Sequence, residues 1–338
     1  MGQVGQVGPD AYGARRASLA AGLDVGVTAQ SVNRLCASGL QAVWTATQMI
    51  RTGEASVVIA GGMESMSGQP FLSYDERSGS RLGNRTILDG ALTLVTDPFG
   101  GYPMGETGER VADRFGIDRE SQDAYALESQ RRAAAAIRSG RFEAQIEPVE
   151  MAKGDPFQRD EHPRPDVTAA RLASLPPVFR PEGTVTAGNS AGMNDGAAAL
   201  ILMSTEAASA AKHRPLGRVV AAAVTGIEPE FMGYAPVTAI ARALQRAELR
   251  LGDIDVVELN EAFAAQTVAV IKGASLDPGR VNPNGGAIAL GHPVGATGAI
   301  LVVKLLAELE RTGGRYGLCT MCIGGGQGMA LIIERGID

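Results

Sequence analysis

Hydrophobic and polar positions alternate along the chain with two periods, one typical of strands and one typical of helices. The first clear pair is a helix predicted at residues 40–51 and a short apolar strand predicted at residues 57–60, each closed by glycine. A second pair near the other end comprises a helix over residues 297–311 and a strand over residues 316–322. This alternation predicts an α/β protein with parallel or mixed sheets.

The two halves of the chain resemble each other. Residues 32–62 run from a polar motif through a helix to a strand that ends in two glycines, and residues 281–326 repeat this order. Cys36 and His292 occupy related positions in the two copies. A repeat of this length indicates two similar units packed together rather than a solenoid.

The first copy is shorter than the second at its start. The second copy opens with a strand at residues 218–225, a helix at residues 236–247 and a strand at residues 255–259. Residues 1–10 are already the Gly-rich segment that precedes a helix. The comparison predicts that the first copy lacks its opening strand–helix–strand.

Residues 67–185 break the repeated pattern. They contain a helix predicted at residues 121–139 and a stretch rich in proline and charge at residues 155–165. This segment is interpreted as an insertion that forms a lid or binding surface. The predicted division is an N-terminal half of residues 1–66 plus 186–214, an insertion of residues 67–185, and a C-terminal half of residues 215–338.

Composition and charge limit the classes of function. With 45% hydrophobic and 20% charged residues among 338, the chain can bury a core. A net charge of −6 without runs of Lys or Arg argues against nucleic-acid and anionic-membrane partners. No apolar stretch reaches the ~18 residues of a membrane span, and no signal peptide is recognised at the N-terminus. Three cysteines favour a reducing compartment, so a cytoplasmic protein is expected.

Cys36 lies where a strand is predicted to meet a helix N-terminus. Backbone N–H groups and the helix dipole at such a place lower a thiol pKa and can hold an oxyanion. Cys36 is therefore a candidate nucleophile, and the alternative is an inert buried cysteine.

His292 is one of three histidines and lies between Gly291 and Pro293. The flanking residues predict a rigid turn, where a histidine can act as general base near neutral pH. The alternative is a capping or satisfied core histidine.

Cys319 and Cys322 form a C-x-x-C pair at the end of an apolar strand. A structural zinc site needs four ligands and a redox pair lies at a helix N-terminus, so no metal site is expected. Cys319 is predicted to lie in the core and Cys322 to be better placed to act. The glycines after Cys322 lack the Lys-Ser/Thr of a P-loop.

Asn260 follows the strand predicted at residues 255–259 and precedes a predicted helix. It is either the N-cap of that helix or an amide that orients a water or a reacting oxygen.

Seven segments, in this order, closely resemble the thiolase family, and together they span essentially the whole chain. Each is weak evidence by itself, but the set is specific. Members of the family normally begin with a strand–helix–strand before the region that matches Met1. The segments are residues 33–40 (NRLCASGL), 61–67 (GGMESMS), 186–189 (TAGN), 194–196 (NDG), 260–263 (NEAF), 284–298 (NGGAIALGHPVGATG) and 322–326 (CIGGG).

The resemblance implies a layered αβαβα core of two similar halves, with the insertion as a loop domain over a coenzyme-A site. It also implies coenzyme A and acyl-CoA as substrates, no permanently bound cofactor, a place in fatty acid metabolism, and assembly as a homodimer or homotetramer.

The resemblance also implies catalytic roles. The residue matching Cys36 is acylated by a thioester, and the one matching His292 activates it. The residue matching Cys322 is acid and base for the carbon nucleophile. The residue matching Asn260 holds a water that forms one oxyanion hole with His292, and the N–H groups of Cys36 and Gly324 form the other.

Coenzyme-A contacts are implied at a further set of positions. Relatives often have a pantetheine-contacting Ser at the position of Ala191, and here a Ser lies one residue earlier. Pro103, where acetoacetyl-CoA thiolases often have His, favours the broader 3-ketoacyl-CoA type. The positions are Met104, Arg164, Phe179, Ala187, Ser190 and Ala191.

The expected function is thiolytic cleavage of a 3-ketoacyl-CoA to acetyl-CoA and a shortened acyl-CoA, or the reverse Claisen condensation, through an acyl-cysteine. One alternative is a decarboxylating condensing enzyme, in which the residue matching Cys322 is usually His. The other is a truncated, inactive or scaffold-like homologue, suggested by the missing strand–helix–strand.

Overall fold

A computed structural model describes residues 1–79 and 81–336. Its helices are α1 (Gly13–Ala20), α2 (Ser38–Arg51), α3 (Gly90–Thr93), α4 (Gly105–Phe115), α5 (Arg119–Arg138), α6 (Ala169–Ala173), α7 (Thr205–Ala210), α8 (Pro236–Ala247), α9 (Ala264–Gly273), α10 (Ala287–Leu290) and α11 (Thr297–Thr312). Its strands are β1 (Val57–Glu64), β2 (Phe71–Leu72), β3 (Leu88–Asp89), β4 (Gly196–Met203), β5 (Arg218–Gly226), β6 (Val256–Leu259), β7 (Tyr316–Ile323) and β8 (Gln327–Glu334).

The two halves build two separate sheets. In the first, β1 pairs with β4 in antiparallel orientation, with Val57 opposite Met203. In the second, the order is β5-β8-β7-β6, where β6 and β7 are parallel and the other pairs are antiparallel. The β1–β4 pair corresponds to β7–β8, so the predicted repeat is present in the fold.

Helices α2 and α11 pack against each other between the two sheets. Their apolar side chains, among them Leu40, Val43 and Leu305, join one buried core with residues of β7 and β8. Glycine permits the close approach, because a Cβ at Gly298 would overlap the backbone of Leu40. The first turns of the two central helices therefore lie side by side.

The outer faces of the two sheets differ. On β7 and β8, Leu318 and Ile332 pack under Ile240 of α8. On the corresponding face of the first sheet, Ile59 is 44% exposed and its strand partner Ile201 is 65% exposed. The residues that the structure describes form no counterpart of α8 there, so the outer helical layer of the expected αβαβα order is present over the second sheet only.

Gly2, near the start of the sequence, lies beside β1 at the edge of the first sheet. Gly2 forms parallel bridges to Val32 and Gly62, as β6 pairs with β7 in the second half. The strand–helix–strand that the sequence comparison found only in the second copy is β5, α8 and β6.

The insertion is anchored on the C-terminal half. Helix α4 packs on α9, and α5 packs on both α9 and α10. The helices of the insertion thus lie directly above the segments that carry Asn260 and His292.

Across the described residues, no helix is long and apolar enough to cross a membrane.

Candidate active site

A tight turn before α2 presents Cys36. Leu35 has a left-handed backbone, with φ 47°, and its N–H donates to the Asn33 side chain at 3.0 Å. The Ser38 hydroxyl accepts from the N–H of Arg34 at 2.9 Å and donates to the carbonyl of Leu35 at 2.6 Å. These local hydrogen bonds fix the turn, so the thiol has a defined direction.

The environment of Cys36 favours its neutral thiol over the thiolate. Burial raises the pKa of the Cys36 thiol, while the N–H groups of Gly324 and of Cys36 itself lower it and Glu64 raises it. Burial outweighs the N–H groups, so the expected lowering of this pKa is wrong. Gly324 lies close to this turn, since a Cβ there would lie 3.2 Å from Cδ1 of Leu35, and its N–H group and that of Cys36 are the donors expected for an oxyanion hole.

His292 is 9% exposed and is held at both ring nitrogens. Its Nδ1 lies 2.6 Å from Oγ1 of Thr297, and that hydroxyl donates to the carbonyl of Pro293 at 2.9 Å. Because the hydroxyl proton is used, Nδ1–H donates to Thr297 and Nε2 carries the free lone pair. Burial lowers the pKa of His292 to about 4, so the ring is a neutral base at pH 7.

Asn260 follows β6 and is fully buried. Its Nδ2 lies 3.4 Å from Nε2 of His292, and its Oδ1 has no hydrogen-bond partner among the described residues. A buried unsatisfied amide oxygen beside a base can accept a hydrogen bond from a water. Helix α9 begins at Ala264 with Phe263 as N-cap, so the interpretation of Asn260 as N-cap is wrong.

Cys322 is fully buried near the end of β7. Burial raises the pKa of its thiol, and the neighbouring Cys36 raises it further. Cys319 lies in the core between the helices and the second sheet, as predicted.

Apolar side chains of the insertion cover the second thiol. Met104, Phe179, Phe263 and Cys322 belong to one cluster. A Cβ at Gly324 would lie 3.2 Å from Cε of Met104. Met104 and Phe179, two of the expected coenzyme-A contacts, thus belong to the cluster of Cys322, and Met104 lies beside Gly324.

The remaining expected contacts lie on loops around this cluster. The N–H of Ala191 donates to the carbonyl of Ala262 at 3.0 Å, which joins this loop to the segment after Asn260. The Ser190 hydroxyl donates within its own loop, and Ala187 is exposed at the turn. Arg164 is exposed and forms no ion pair with the rest of the described chain, so its guanidinium is free to meet an anion.

Sequence reasoning missed three polar residues that support the site. Thr297 fixes the tautomer of His292, and Glu261 is buried next to Asn260. Glu64 accepts from the N–H groups of Val4, Gly5 and Gly295, which ties the histidine loop to the first half. The only signal in the sequence was the presence of these polar residues inside the motif segments.

The arrangement suits acyl transfer. Two thiols, a neutral imidazole and an unsatisfied amide oxygen lie on segments that contact one another. Within residues 1–79 and 81–336, no group of three or more His, Cys, Asp or Glu side chains could hold a metal ion. A covalent thioester mechanism requires only the groups that are present.

Two family models cover the chain almost completely. Residues 1–206 match the thiolase N-terminal domain, and residues 213–335 match the thiolase C-terminal domain. The chain belongs to the thiolase family.

Curated relatives agree with this assignment. Beta-ketothiolase BktB of Cupriavidus necator is 50% identical, with 99% of this chain and 86% of the relative covered. An acetyl-CoA acetyltransferase of Escherichia coli is 49% identical with the same coverage. A beta-ketoadipyl-CoA thiolase of Acinetobacter baylyi is 48% identical, with 95% and 83% covered. The activity is of the thiolase type.

Solved structures agree with the fold. Human mitochondrial 3-ketoacyl-CoA thiolase in complex with CoA superposes with a TM-score of 0.97 at 43% identity, covering all of this chain and 86% of the other. An acetyl-CoA acetyltransferase of Bacillus anthracis gives the same TM-score at 44% identity. The thiolase-like α/β fold expected from the sequence is confirmed.

Proposed function

We propose that this thiolase cleaves 3-ketoacyl-CoA with coenzyme A, or condenses two acyl-CoAs in reverse, through an acyl thioester on Cys36. The observation that carries the proposal is the packing of Cys36 against Val294 of the loop that carries His292, with Nδ2 of Asn260 3.4 Å from Nε2 of that histidine. Relatives named for acetyl-CoA, beta-keto and beta-ketoadipyl-CoA substrates support it.

The first step forms the acyl-enzyme. As Cys36 attacks the ketone carbon, Nε2 of His292 takes the thiol proton, because the unprotonated Nε2 is the free base of the ring. The N–H groups of Cys36 and Gly324 hold the resulting oxyanion. The bond between the α-carbon and the former ketone carbon then breaks, and its electron pair forms the enolate of acetyl-CoA.

The enolate needs a donor at its thioester oxygen and a proton at its carbon. A water on the unsatisfied amide of Asn260 and the protonated His292 supply the donors. Cys322 protonates the carbon, which its raised pKa favours because the thiol is fully protonated before the step. Acetyl-CoA leaves and Cys322 remains as thiolate.

The second step releases the product. The thiol of coenzyme A loses its proton to the Cys322 thiolate and attacks the acyl group on Cys36, whose oxygen again lies at the N–H pair. The Cys36 thiolate departs and recovers its proton from His292. One 3-ketoacyl-CoA and one coenzyme A thereby become two acyl-CoAs, with both thiols and the imidazole restored.

The substrate reaches this centre under the insertion. Met104 and Phe179 border the acyl and pantetheine end, and the exposed Arg164 meets a phosphate of coenzyme A. Ala187, Ser190 and Ala191 belong to the loop that joins the insertion to the centre. We propose the division into a first half (1–66 and 186–214), an insertion (67–185) and a second half (215–338).

The cellular setting follows from the same chemistry. Cys36, Cys319 and Cys322 are free thiols, and a reaction through Cys36 requires a reducing compartment, so we propose a cytoplasmic enzyme of fatty acid metabolism. We also propose a homodimer or homotetramer, as the resemblance to the family implies.

The test follows acetoacetyl-CoA and coenzyme A with the wild type, Cys36→Ser and the matched variant Cys319→Ala. We expect loss of the enolate absorbance with wild type and C319A but not with C36S, and an acetyl adduct on Cys36 by mass spectrometry. Turnover by C36S, or an adduct on another residue, contradicts the proposal. Release of CO₂ from a malonyl thioester would instead indicate a decarboxylating condensing enzyme.

A further inference from the structure

A buried carboxylate that takes no part in the proposed steps lies next to Asn260. Glu261 is fully buried, and no ion pair between described residues includes it. Burying an unpaired carboxylate costs free energy unless hydrogen bonds replace its solvent. The groups around Glu261 therefore have to supply hydrogen-bond donors in place of water.

Four donors provide the compensation. Oε1 accepts from the Tyr125 hydroxyl and from Nδ2 of Asn282, both at 2.8 Å. Oε2 accepts from the Ser129 hydroxyl at 2.7 Å and from the N–H of Ile288 at 3.1 Å. The carboxylate thus joins α5 of the insertion, the segment before α10, and α10 itself.

The same network fixes both neighbours of Asn260 in the chain. Glu261 is held by its four donors on one side. On the other, Asn282 accepts from the N–H of Leu259 and donates to its carbonyl, both at 2.8 Å. The backbone on either side of Asn260 is therefore clamped, whereas His292 is held separately by Thr297.

Close backbone packing accommodates the carboxylate. Gly286 lies against it, and a Cβ at this position would overlap the carboxyl carbon of Glu261. The N–H of Gly286 donates to the Ser129 hydroxyl at 3.1 Å, which leaves that hydroxyl's proton for Glu261. All four groups donate to Glu261. Two carboxylate oxygens can accept all four hydrogen bonds, whereas the NH₂ group of a glutamine at this position could accept none.

We propose that Glu261 is the positioning residue for Asn260, so that it controls formation and breakage of the carbon–carbon bond but not acyl transfer to Cys36. This rests on the proposed function, in which the Asn260 water stabilises the enolate and the N–H groups of Cys36 and Gly324 stabilise the acyl oxyanion. A small displacement of the Asn260 amide moves that water, whereas backbone N–H groups hold the acyl oxyanion and Thr297 still holds Nδ1 of His292.

The test compares the two steps in Glu261→Gln. We expect a fall in kcat for thiolysis of acetoacetyl-CoA of about tenfold to a hundredfold, the loss that a displaced catalytic group produces. The rate of Cys36 acetylation by acetyl-CoA, followed as released thiol, should stay within about threefold, as should KM. Combined with Asn260→Ala, the Glu261 change should add no further loss, because both act through one amide.

Glu109→Gln is the matched control. Glu109 is also buried without an ion pair and accepts from the N–H groups of Thr184 and Val185. E109Q should lower the melting temperature without changing the ratio of the two rates. If E261Q does not fold, Tyr125→Phe and Ser129→Ala each remove one donor and should shift the ratio in the same direction by less.

The outcomes separate two failures. Equal slowing of both steps by E261Q, or an effect that adds to that of Asn260→Ala, overturns the positioning role. If N260A itself leaves the carbon–carbon step unchanged while Cys36 is still acetylated, the proposed role of Asn260 fails instead, and the positioning role falls with it.

Discussion

One hydroxyl fixes the tautomer of His292, the base of the proposed mechanism. Thr297→Val removes the acceptor of Nδ1–H, so the proton can move to Nε2, the nitrogen that the proposed mechanism uses as base. We expect acetylation of Cys36 to slow about tenfold or more in T297V, since a positioned base contributes roughly 10²–10⁴-fold. Thr297→Ser keeps the hydroxyl and should stay within about threefold of wild type. Equal rates in T297V and T297S would show that the hydroxyl does not set the tautomer.

Cys36 and His292 are both uncharged near neutral pH, which fixes the pH dependence. Burial holds the pKa of His292 at about 4, so the base is lost only as the pH falls through that value. Burial also raises the pKa of Cys36, so spontaneous thiolate appears only in the alkaline range. The rate of Cys36 acetylation should be flat from about pH 5 to 8, while alkylation of the free enzyme by iodoacetamide should rise towards alkaline pH. An acid limb of acetylation near pH 6.5 would contradict a neutral resting histidine.

Local sequence was enough to select Cys36 and His292 as candidates but not the residues that hold them in place. Both lie in turns rich in small residues, and such turns are visible as motifs. Glu261 and Thr297 matter because of partners that folding brings to them, and the donors to Glu261 come from up to 136 residues away. The predicted direction of the Cys36 pKa shift was wrong for the same reason. A helix N-terminus can be recognised in the sequence, whereas the burial that raises this pKa depends on the fold.

Among the elements, helices with a clear hydrophobic period were predicted best. The helix predicted at residues 236–247 has those bounds, and the one predicted at residues 121–139 is α5, Arg119–Arg138. Strand β4 was not predicted, because its Ala-rich sequence carries no strong strand signal. Helix α4 was missed because its only apolar stripe is short and lies in the insertion, where proline and charge dominate the pattern.

The approach of the two central helices should be sensitive to one methyl group. In Gly298→Ala the new Cβ meets the backbone of Leu40, which cannot move without shifting the turn that carries Cys36. We expect a loss of about 1–3 kcal/mol in the free energy of unfolding and a clear fall in kcat. Gly252→Ala is the matched control, since nothing lies within 4 Å of its Cβ and its φ is not positive. Chemical denaturation with parallel kinetics checks both, and unchanged behaviour of G298A would mean that the helices can separate without cost.

Across the whole molecule, the internal duplication was predictable, since β1–β4 and β7–β8 follow the same order of motif, helix and strand. In the second sheet, β5 and β6 extend this pair and α8 covers it. The arrangement of the insertion could not be predicted, because its helices find their place through contacts with α9 and α10 that no local pattern encodes.

Two isoleucines on the outer face of the first sheet are exposed among the described residues and should contribute to the surface behaviour of this polypeptide. Ile59 and Ile201 lie opposite each other there, and such apolar surface binds dyes and other chains. Ile59→Thr with Ile201→Thr should reduce binding of anilinonaphthalene sulfonate and self-association in sedimentation. Ile137→Thr, on an exposed position of α5, should change neither noticeably. No difference between these variants would mean that the face is covered in solution.

The neutral Cys36 thiol also determines how the enzyme tolerates oxidants. Peroxides attack thiolates, and a thiol that burial keeps protonated is oxidised slowly to sulfenic acid. In the proposed mechanism its thiolate arises only while His292 holds the proton and an acyl group is in place to react with it. The burial that keeps the Cys36 thiol protonated would therefore also protect it from peroxides between turnovers.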